Sequence, residues 1–358
     1  KNNVLVGTRT GIYRTTDGGA NWSQTFISSN TVQDLDADPT DFNIQYGSVG
    51  NFGIVKSIDG GITWSTSFDR ADFNGNHSRF ELSVSPADSN YIYLSVYSGS
   101  GGTYTNTDFY QSMDKGATYT KLTTSSPNAN LITGQGWYDN VIMAHPFNTN
   151  AFYVGGVAVF KVTVTNTNFT FQSIASGYDG NQINSEVHVD QHGLSYILGD
   201  DQEFRILLAN DGGVYSTTYS SNPGAINGTW SATAAGKNST QFYAATKQNG
   251  EDNYIAGAQD NGSWISSGNN STLTKTYQKI LGGDGFEAVW HYNKPGNFIV
   301  ASQNYGNIGR YIDNNGALTN FADSGNGSLS PFYSKLSNVD HTPDVVFAIS
   351  TNGVWRST

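Results

Sequence analysis

Apolar and polar residues alternate in short runs along this chain. In "FELSVSPADS", Leu82 and Val84 fall on one side of an extended segment and Ser83 on the other, the two-residue period of a strand. "VQDLDADPTD" and "NVIMAHPFNT" read alike, each ending in a turn. Pairs of short strands follow such segments: "NVLVGTRTGIYRT", "IQYGSVGNFGIVKS", "YIYLSVYS…DFYQS", "AFYVGGVAVFKVT", "RILLANDGGVYST", "NYIAGAQDNGSWIS", "NFIVASQNYGNIGRY" and "VVFAISTNGVWRS". These are eight hairpins, spaced by roughly 40–60 residues, the period of a four-stranded propeller blade. Helical periodicity is absent. The pattern predicts an all-β chain, a single β-propeller over residues 1–358 built of four-stranded antiparallel blades. Eight units predict eight blades. Seven is the alternative, because the first unit lacks an inner strand and the last its outer one.

A turn punctuates the pattern. Ser/Thr-x-Asp-x-Gly-x-x-aromatic recurs at residues 15–22, 57–64 and 112–119. In it, Asp17, Asp59 and Asp114 can accept backbone N–H groups across their own loop. Gly19, Gly61 and Gly116 supply a positive φ, and Trp22, Trp64 and Tyr119 wedge against a neighbouring sheet. Turn chemistry accounts for every position, so these nine residues are expected to be structural.

Composition agrees. The 41 glycines, 13% aromatic residues and 13% charged residues suit strands joined by tight turns. The formal charge of -11, from 18 basic and 29 acidic residues without a Lys/Arg run, argues against nucleic acid as a partner. There is no cysteine, which excludes disulfides, thiolate metal sites and cysteine nucleophiles. The best apolar run, "AFYVGGVAVF", is short and broken by glycine, so no membrane insertion is expected. The chain opens on Lys1 without a signal peptide, which reads as a mature or excised segment of a longer secreted protein. Asn168 and Asn227 lie in glycosylation sequons that an Asn/Ser/Thr-rich chain also produces by chance.

The turn resembles the Asp box, or BNR repeat, of propellers found in sialidases, sortilin-type ectodomains, xyloglucan-hydrolysing enzymes and photosystem assembly factors. Residues 130–310 look similar to a group of secreted Bacteroidetes-type proteins labelled sortilin-like or glycosyl-hydrolase-like. The segments carrying that resemblance are "GQGWYDNVIMAHPFNTNAFYVGG", "VHVDQHGL", "NDGGVYST", "QFYAATKQNGEDNYIAGAQDNGSW" and "GGDGFEAVW". The resemblance implies export, commonly by type IX secretion, and a secreted or cell-surface location. It specifies architecture better than activity.

Sites are expected on the longer loops: "FDRADFNGNHSR", "YSGSGGTYTNTD", "TTSSPNANLITGQGW", "ASGYDGNQINSEVH" and "SSGNNSTLTKTYQKILGGDG". Asp34, Glu81 and Glu287 align at equivalent positions of first strands, and Asp139 and Asp284 stand just before or at the start of theirs. Asp139, Asp284 and Glu287 are the candidate catalytic carboxylates, given a pair about 5–10 Å apart at a glycosidic bond. The bland reading is that such carboxylates bond inner-strand backbone. Trp137, Tyr138 and Trp290 are candidate sugar platforms, with His188 and Asp260 as further ligand contacts. His188, Asp190 and His192 in "HVDQH" offer a divalent metal two imidazoles and a carboxylate, although a hydrogen-bonded cluster fits as well, and no cofactor is required. Asp34, Asp36, Asp38 and Asp41 offer oxygens but lack the glycine and closing Glu of a calcium loop.

Sialidase activity is excluded from the sequence. That family clamps its substrate with three arginines, whereas Arg14 and Arg356 have structural positions and the Arg-Ile-Pro signature is missing. Xyloglucan hydrolases resembling this repeat set their cleft between two propellers, and one is visible here. No serine sits in a nucleophile elbow. The reading is a non-catalytic binding module for extracellular glycan or protein. A glycoside hydrolase and a structural or assembly scaffold are the alternatives.

Overall fold

The structure, a computed structural model, describes residues 2–69, 71, 77–98, 107–126, 130–175, 187–225, 229–232, 240–267, 276–292, 298–302, 308–311, 318–322, 332–339, 342–350 and 353–356. Much of the long loops, including residues 72–76, 99–106, 176–186 and 268–275, lies outside them, as does Asn227. The chain forms two compact units, Lys1–Gly236 and Lys237–Thr358.

Five antiparallel sheets make the first unit. The first is three-stranded (Val4–Thr8, Gly11–Thr15, Ser23–Ile27). Four four-stranded meanders follow, whose first strands are Val32–Ala37, His77–Val84, Val141–Ala144 and Gln191–Leu198. These first strands pack side by side in chain order. The second unit repeats the plan with two four-stranded sheets, opening at Ala244–Lys247 and Gly285–Trp290, and a three-stranded one, Leu336–Val339, Thr342–Ser350 and Gly353–Arg356. Among the described residues there are thus eight sheets, one per hairpin unit, with three-stranded sheets at both ends of the sequence order. The fold class is all-β, of β-propeller type. Among the described residues no helix is long and apolar enough to cross a membrane.

Burial explains why the second strands read as apolar runs. Gln45–Val49 and Ala151–Gly155 are buried at every residue, whereas the fourth strand Ser65–Asp69 is mostly exposed. A strand covered on both faces by neighbouring sheets loses the two-residue alternation and reads as a continuous hydrophobic stretch. The cores lie between consecutive sheets. Tyr46, Phe80 and Leu94 fill the space between the second and third, Tyr93, Phe109 and Phe152 the next, and Met143, Tyr153, Phe204 and Trp230 the one after.

The three acidic turns join the third and fourth strands of their sheets, or the corresponding strands of the first. Ser57 Oγ donates to Asp59 Oδ1 at 2.8 Å. That carboxylate also accepts Thr63 N at 2.9 Å and Thr63 Oγ1 at 2.6 Å. Thr15 with Asp17, and Ser112 with Asp114, repeat the arrangement. The donors hold Asp17 and Asp59 down at about 2, led by the Asn21 backbone and the Thr63 hydroxyl respectively. Gly61 and Gly116 adopt φ of 81° and 78°. Tyr119 stacks on Phe68 of the preceding sheet at 4.7 Å, and Trp64 Nε1 donates to Thr25 Oγ1 at 3.2 Å. Trp22 instead folds back to donate to Gly19 O.

The third turn also docks on the second sheet. Lys115 Nζ pairs with Asp38 Oδ2 at 3.0 Å, and Tyr46 Oη donates to Lys115 O at 2.9 Å. Ser112, 1% exposed, is the pivot: its hydroxyl donates to Asp114 and accepts Gly116 N at 2.8 Å. Ser112→Ala leaves the buried Gly116 N–H without its acceptor and removes one of the donors to Asp114. We expect a loss of about 1–3 kcal/mol, read as a lower denaturation midpoint in urea at unchanged slope.

Candidate functional site

The segment between the third and fourth sheets of the first unit presents the exposed aromatics. A 3-10 turn, Thr133–Gln135, tightens the chain so that Gln135 O accepts both Tyr138 N and Asp139 N, at 2.6 and 3.0 Å. Gly136 permits the turn to sit against Tyr97, since a Cβ there would lie 2.5 Å from its ring. Trp137 is 65% and Tyr138 40% exposed. Their backbone is gripped by Arg79 of the third sheet. Nη1 donates to the carbonyls of Trp137 and Tyr138 at 3.1 and 2.5 Å, Nη2 to that of Asn140 at 3.2 Å, and Nε to Glu81 Oε1 at 2.8 Å. A planar guanidinium suits this fork of acceptors.

Behind the aromatics lie carboxylates. Asp139 is fully buried, and no side-chain donor reaches either of its oxygens. Burial and then the Asp190 charge push Asp139 up to about 7. Asp190, 6% exposed and at φ 62°, takes Gln135 Nε2 at 3.2 Å, and burial followed by Asp211 raises it as well. Tyr138 packs edge-on to His192 at 4.7 Å, and its hydroxyl donates to Asp211 Oδ2 at 3.3 Å.

The metal triad read from "HVDQH" is not what forms. His192 Nε2 lies 2.8 Å from Asp211 Oδ1, His188 Nδ1 faces Val189 O at 3.1 Å, and Asp190 turns to Gln135. Left-handed backbone at Asp190 breaks the alternation that would put the three side chains together. The His188 carbonyl instead ties the segment down, accepting Gln191 Nε2 and Asn210 Nδ2. Gln135, Arg79 and Asp211 are the site residues that pattern reading missed. Asp211 stood in view, in the "NDGG" turn that closes the same sheet's central hairpin.

The bland reading of the inner-strand acids holds for two of them. Asp34 Oδ2 accepts Leu82 N at 3.1 Å and Asp36 Oδ2 accepts Val84 N at 2.8 Å, stitching the second sheet's first strand to the third's. Asp34 and Glu81 share a register position, each opposite a serine, Ser48 and Ser95. Asp38 serves Thr40 and Lys115, and Asp41 serves Asn43. The four acids of "DLDADPTD" are thus bonded to different residues, Leu82, Val84, Thr40, Lys115 and Asn43 among them.

In the second unit, Asp284 is 3% exposed and its Oδ1 accepts Asp260 N at 2.7 Å, with Asp260 at φ 60°. Glu287 stands in a bulge of Gly285–Trp290, taking the Tyr333 hydroxyl at 3.1 Å and Lys335 Nζ at 3.3 Å. Tyr243, Phe286, Phe332 and Tyr333 cluster beside it at 5.0–5.3 Å between ring centroids. Trp290 is a correction. It is 6% exposed and its indole donates to Thr246 O at 2.9 Å, so it is a core wedge and not a sugar platform.

No family model matches the chain, and no curated protein sequence matches it. Solved structures similar to it include an ancestral GH74 enzyme, at 15% identity and a TM-score of 0.46, with 99% of this chain and 51% of that one covered. The chain thus spans about half of that enzyme's length. YCF48 bound to D1 peptide is similar at 11% identity and a TM-score of 0.37, covering 99% of this chain and 95% of that one. The GH74 xyloglucanase from Xanthomonas campestris is similar at 13% identity and a TM-score of 0.28, covering 99% and 68% respectively.

Proposed function

We propose that the chain is a secreted or cell-surface binding module of Asp-box propeller type that holds an extracellular glycan on the Trp137–Tyr138 platform without cleaving it. One observation carries the reading: an indole 65% exposed on a backbone pinned by three Arg79 hydrogen bonds. Rigid, half-exposed aromatics offer a sugar ring an apolar face at little ordering cost, and the Tyr138–His192–Asp211 edge beside them offers its hydroxyls polar partners. The three acidic turns support the Asp-box assignment, and the acidic surface suits export. Asp139 sits at zero exposure beneath the platform, out of reach of a glycosidic oxygen, which favours binding over hydrolysis.

The test is a panel of plant and algal polysaccharides run by affinity electrophoresis alongside a reducing-end assay. A ligand should be retarded by the native chain and released at least tenfold more readily by Trp137→Ala, with no reducing ends formed. Reducing ends that disappear in Asp284→Asn or Asp139→Asn would establish the hydrolase instead. No retardation by any polysaccharide, with no partner captured from the native surface, would leave the scaffold.

A further inference from the structure

Two further aromatic pairs stand, like Trp137–Tyr138, at the entry to a sheet's first strand, and both belong to the second unit. Phe242–Tyr243 leads directly into Ala244–Lys247, and Phe332–Tyr333 precedes Leu336–Val339. The second pair keeps the first unit's spacing. Tyr333 stands before Leu336 as Tyr138 stands before Val141, and a buried polar residue follows each, Ser334 or Asp139.

The fold brings the two pairs together. Tyr243 and Tyr333 have ring centroids 5.1 Å apart, and both lie against Phe286, at 5.0 and 5.2 Å. Phe332 joins Phe286 at 5.3 Å. Phe286 is completely buried and forms a fixed pedestal, whereas Phe242, Tyr243 and Phe332 are 41%, 46% and 39% exposed. The polar tips are tied sideways. Tyr243 Oη donates to Gln259 Oε1 at 2.6 Å, and Tyr333 Oη donates to Glu287 Oε2 at 3.1 Å. Lys335 Nζ pairs with that same carboxylate oxygen at 3.3 Å and sits 4.6 Å from the Tyr333 ring centroid.

Core packing accounts for Phe286 but not for the rings left part-exposed around it. A protein partner is the poorer fit, because the cores of protein interfaces are depleted in charge and a Glu–Lys pair stands against this cluster. A sugar ring suits it better. Its C–H face needs an aromatic surface already held in place, and its hydroxyls need polar groups at the margin, which Gln259, Glu287 and Lys335 supply. The formal charge of -11 disfavours a polyanionic chain.

We propose that the second unit holds a sugar site of its own, with Tyr243 and Phe332 as stacking rings and Gln259 and Glu287 as hydroxyl partners, and that its ligand is a neutral polysaccharide. The site goes beyond the Trp137–Tyr138 platform and shares with it only the reading of a glycan ligand.

The experiment is affinity electrophoresis of the full chain in gels carrying xyloglucan, galactomannan or β-glucan. It compares the native chain with Trp137→Ala, Tyr243→Ala, Phe332→Ala and the variant combining Trp137→Ala with Tyr243→Ala. Tyr243→Ala and Phe332→Ala should each weaken retention by about threefold or more, and the combined variant should lose what Trp137→Ala keeps. Both rings are part-exposed, so urea midpoints close to the native value are expected and serve as the folding control. Should Tyr243→Ala fold poorly, Phe332→Ala decides. Retention lost in these two variants but unchanged in Trp137→Ala supports this site and defeats the first-unit platform. Retention that falls only in Trp137→Ala overturns the site and leaves that platform standing. No retention of the native chain by any of the three polysaccharides overturns it as well, as does a protein ligand whose binding alone the two variants weaken.

Discussion

Replacing Arg79 by Leu is expected to lower the unfolding free energy of the first unit by about 1–3 kcal/mol, the cost of leaving buried acceptors without their hydrogen-bond donor. Arg79 and Glu81 have side chains only 21% and 10% exposed, and the variant strands Glu81 beside Asp34. It also frees the carbonyls of Trp137, Tyr138 and Asn140, each of which loses its Arg79 donor. The platform should loosen with the fold, so glycan retention should fall even under conditions where the variant is still folded. Arg79→Lys separates charge from geometry. An ammonium can keep one partner but cannot span three carbonyls and a carboxylate, so about half of the loss should remain. Urea titrations of the native chain and both variants measure this directly. A loss under 1 kcal/mol for Arg79→Leu would mean that the loop is held by packing alone.

That clamp marks where the sequence stopped being legible. Strand order, the eight hairpin units and the acidic turns are local, set by alternation and by residues within five positions of one another, so they can be read along the chain. Asp59 bonds Ser57 and Thr63, all inside one motif. Arg79 and its carbonyl partners lie 58 to 61 residues apart, and nothing in either segment announces the other. The same limit hid the pairing of His192 with Asp211 across a strand pair. Trp290 failed for a different reason. Phe286, Ala288, Val289 and Trp290 are all buried, because their strand is covered on both faces, so alternation could not separate a core indole from a displayed one. Trp137 could be told apart only by the turn that carries it. The inner-strand acids were legible in kind, since an aspartate on a first strand has backbone N–H groups of the next sheet within reach, but not in number. Asp34 and Asp36 do this, while Glu81, at the same register as Asp34, turns to Arg79.

The burial of Glu81, reinforced by the charge of Asp34, should make the first unit less stable as pH rises. Burial, then the charge of Asp34, pushes Glu81 up to about 8 from an ordinary 4.5, with Arg79 opposing, and burial raises Asp34 too. The folded state therefore holds a proton that the unfolded chain releases above about pH 4.5. Between that value and about 8 the native state binds more protons, so the slope of stability against pH is negative, at most about 1.4 kcal/mol per pH unit per group. Stability should be highest below pH 5 as far as this pair is concerned, fall through pH 5–8 by about 3–4 kcal/mol, and level off above 8. Asp34→Asn isolates the effect. Its amide oxygen can still accept Leu82 N, while the like charge beside Glu81 is gone, so Glu81 can ionise against Arg79 with less opposition. The variant should lose less stability over the same range and overtake the native chain above pH 7. Urea midpoints at pH 5, 6.5 and 8 for both chains, at 0.15 M salt, give the comparison. Parallel curves would show that Arg79 already keeps Glu81 ionised and that the two acids do not compete for a proton.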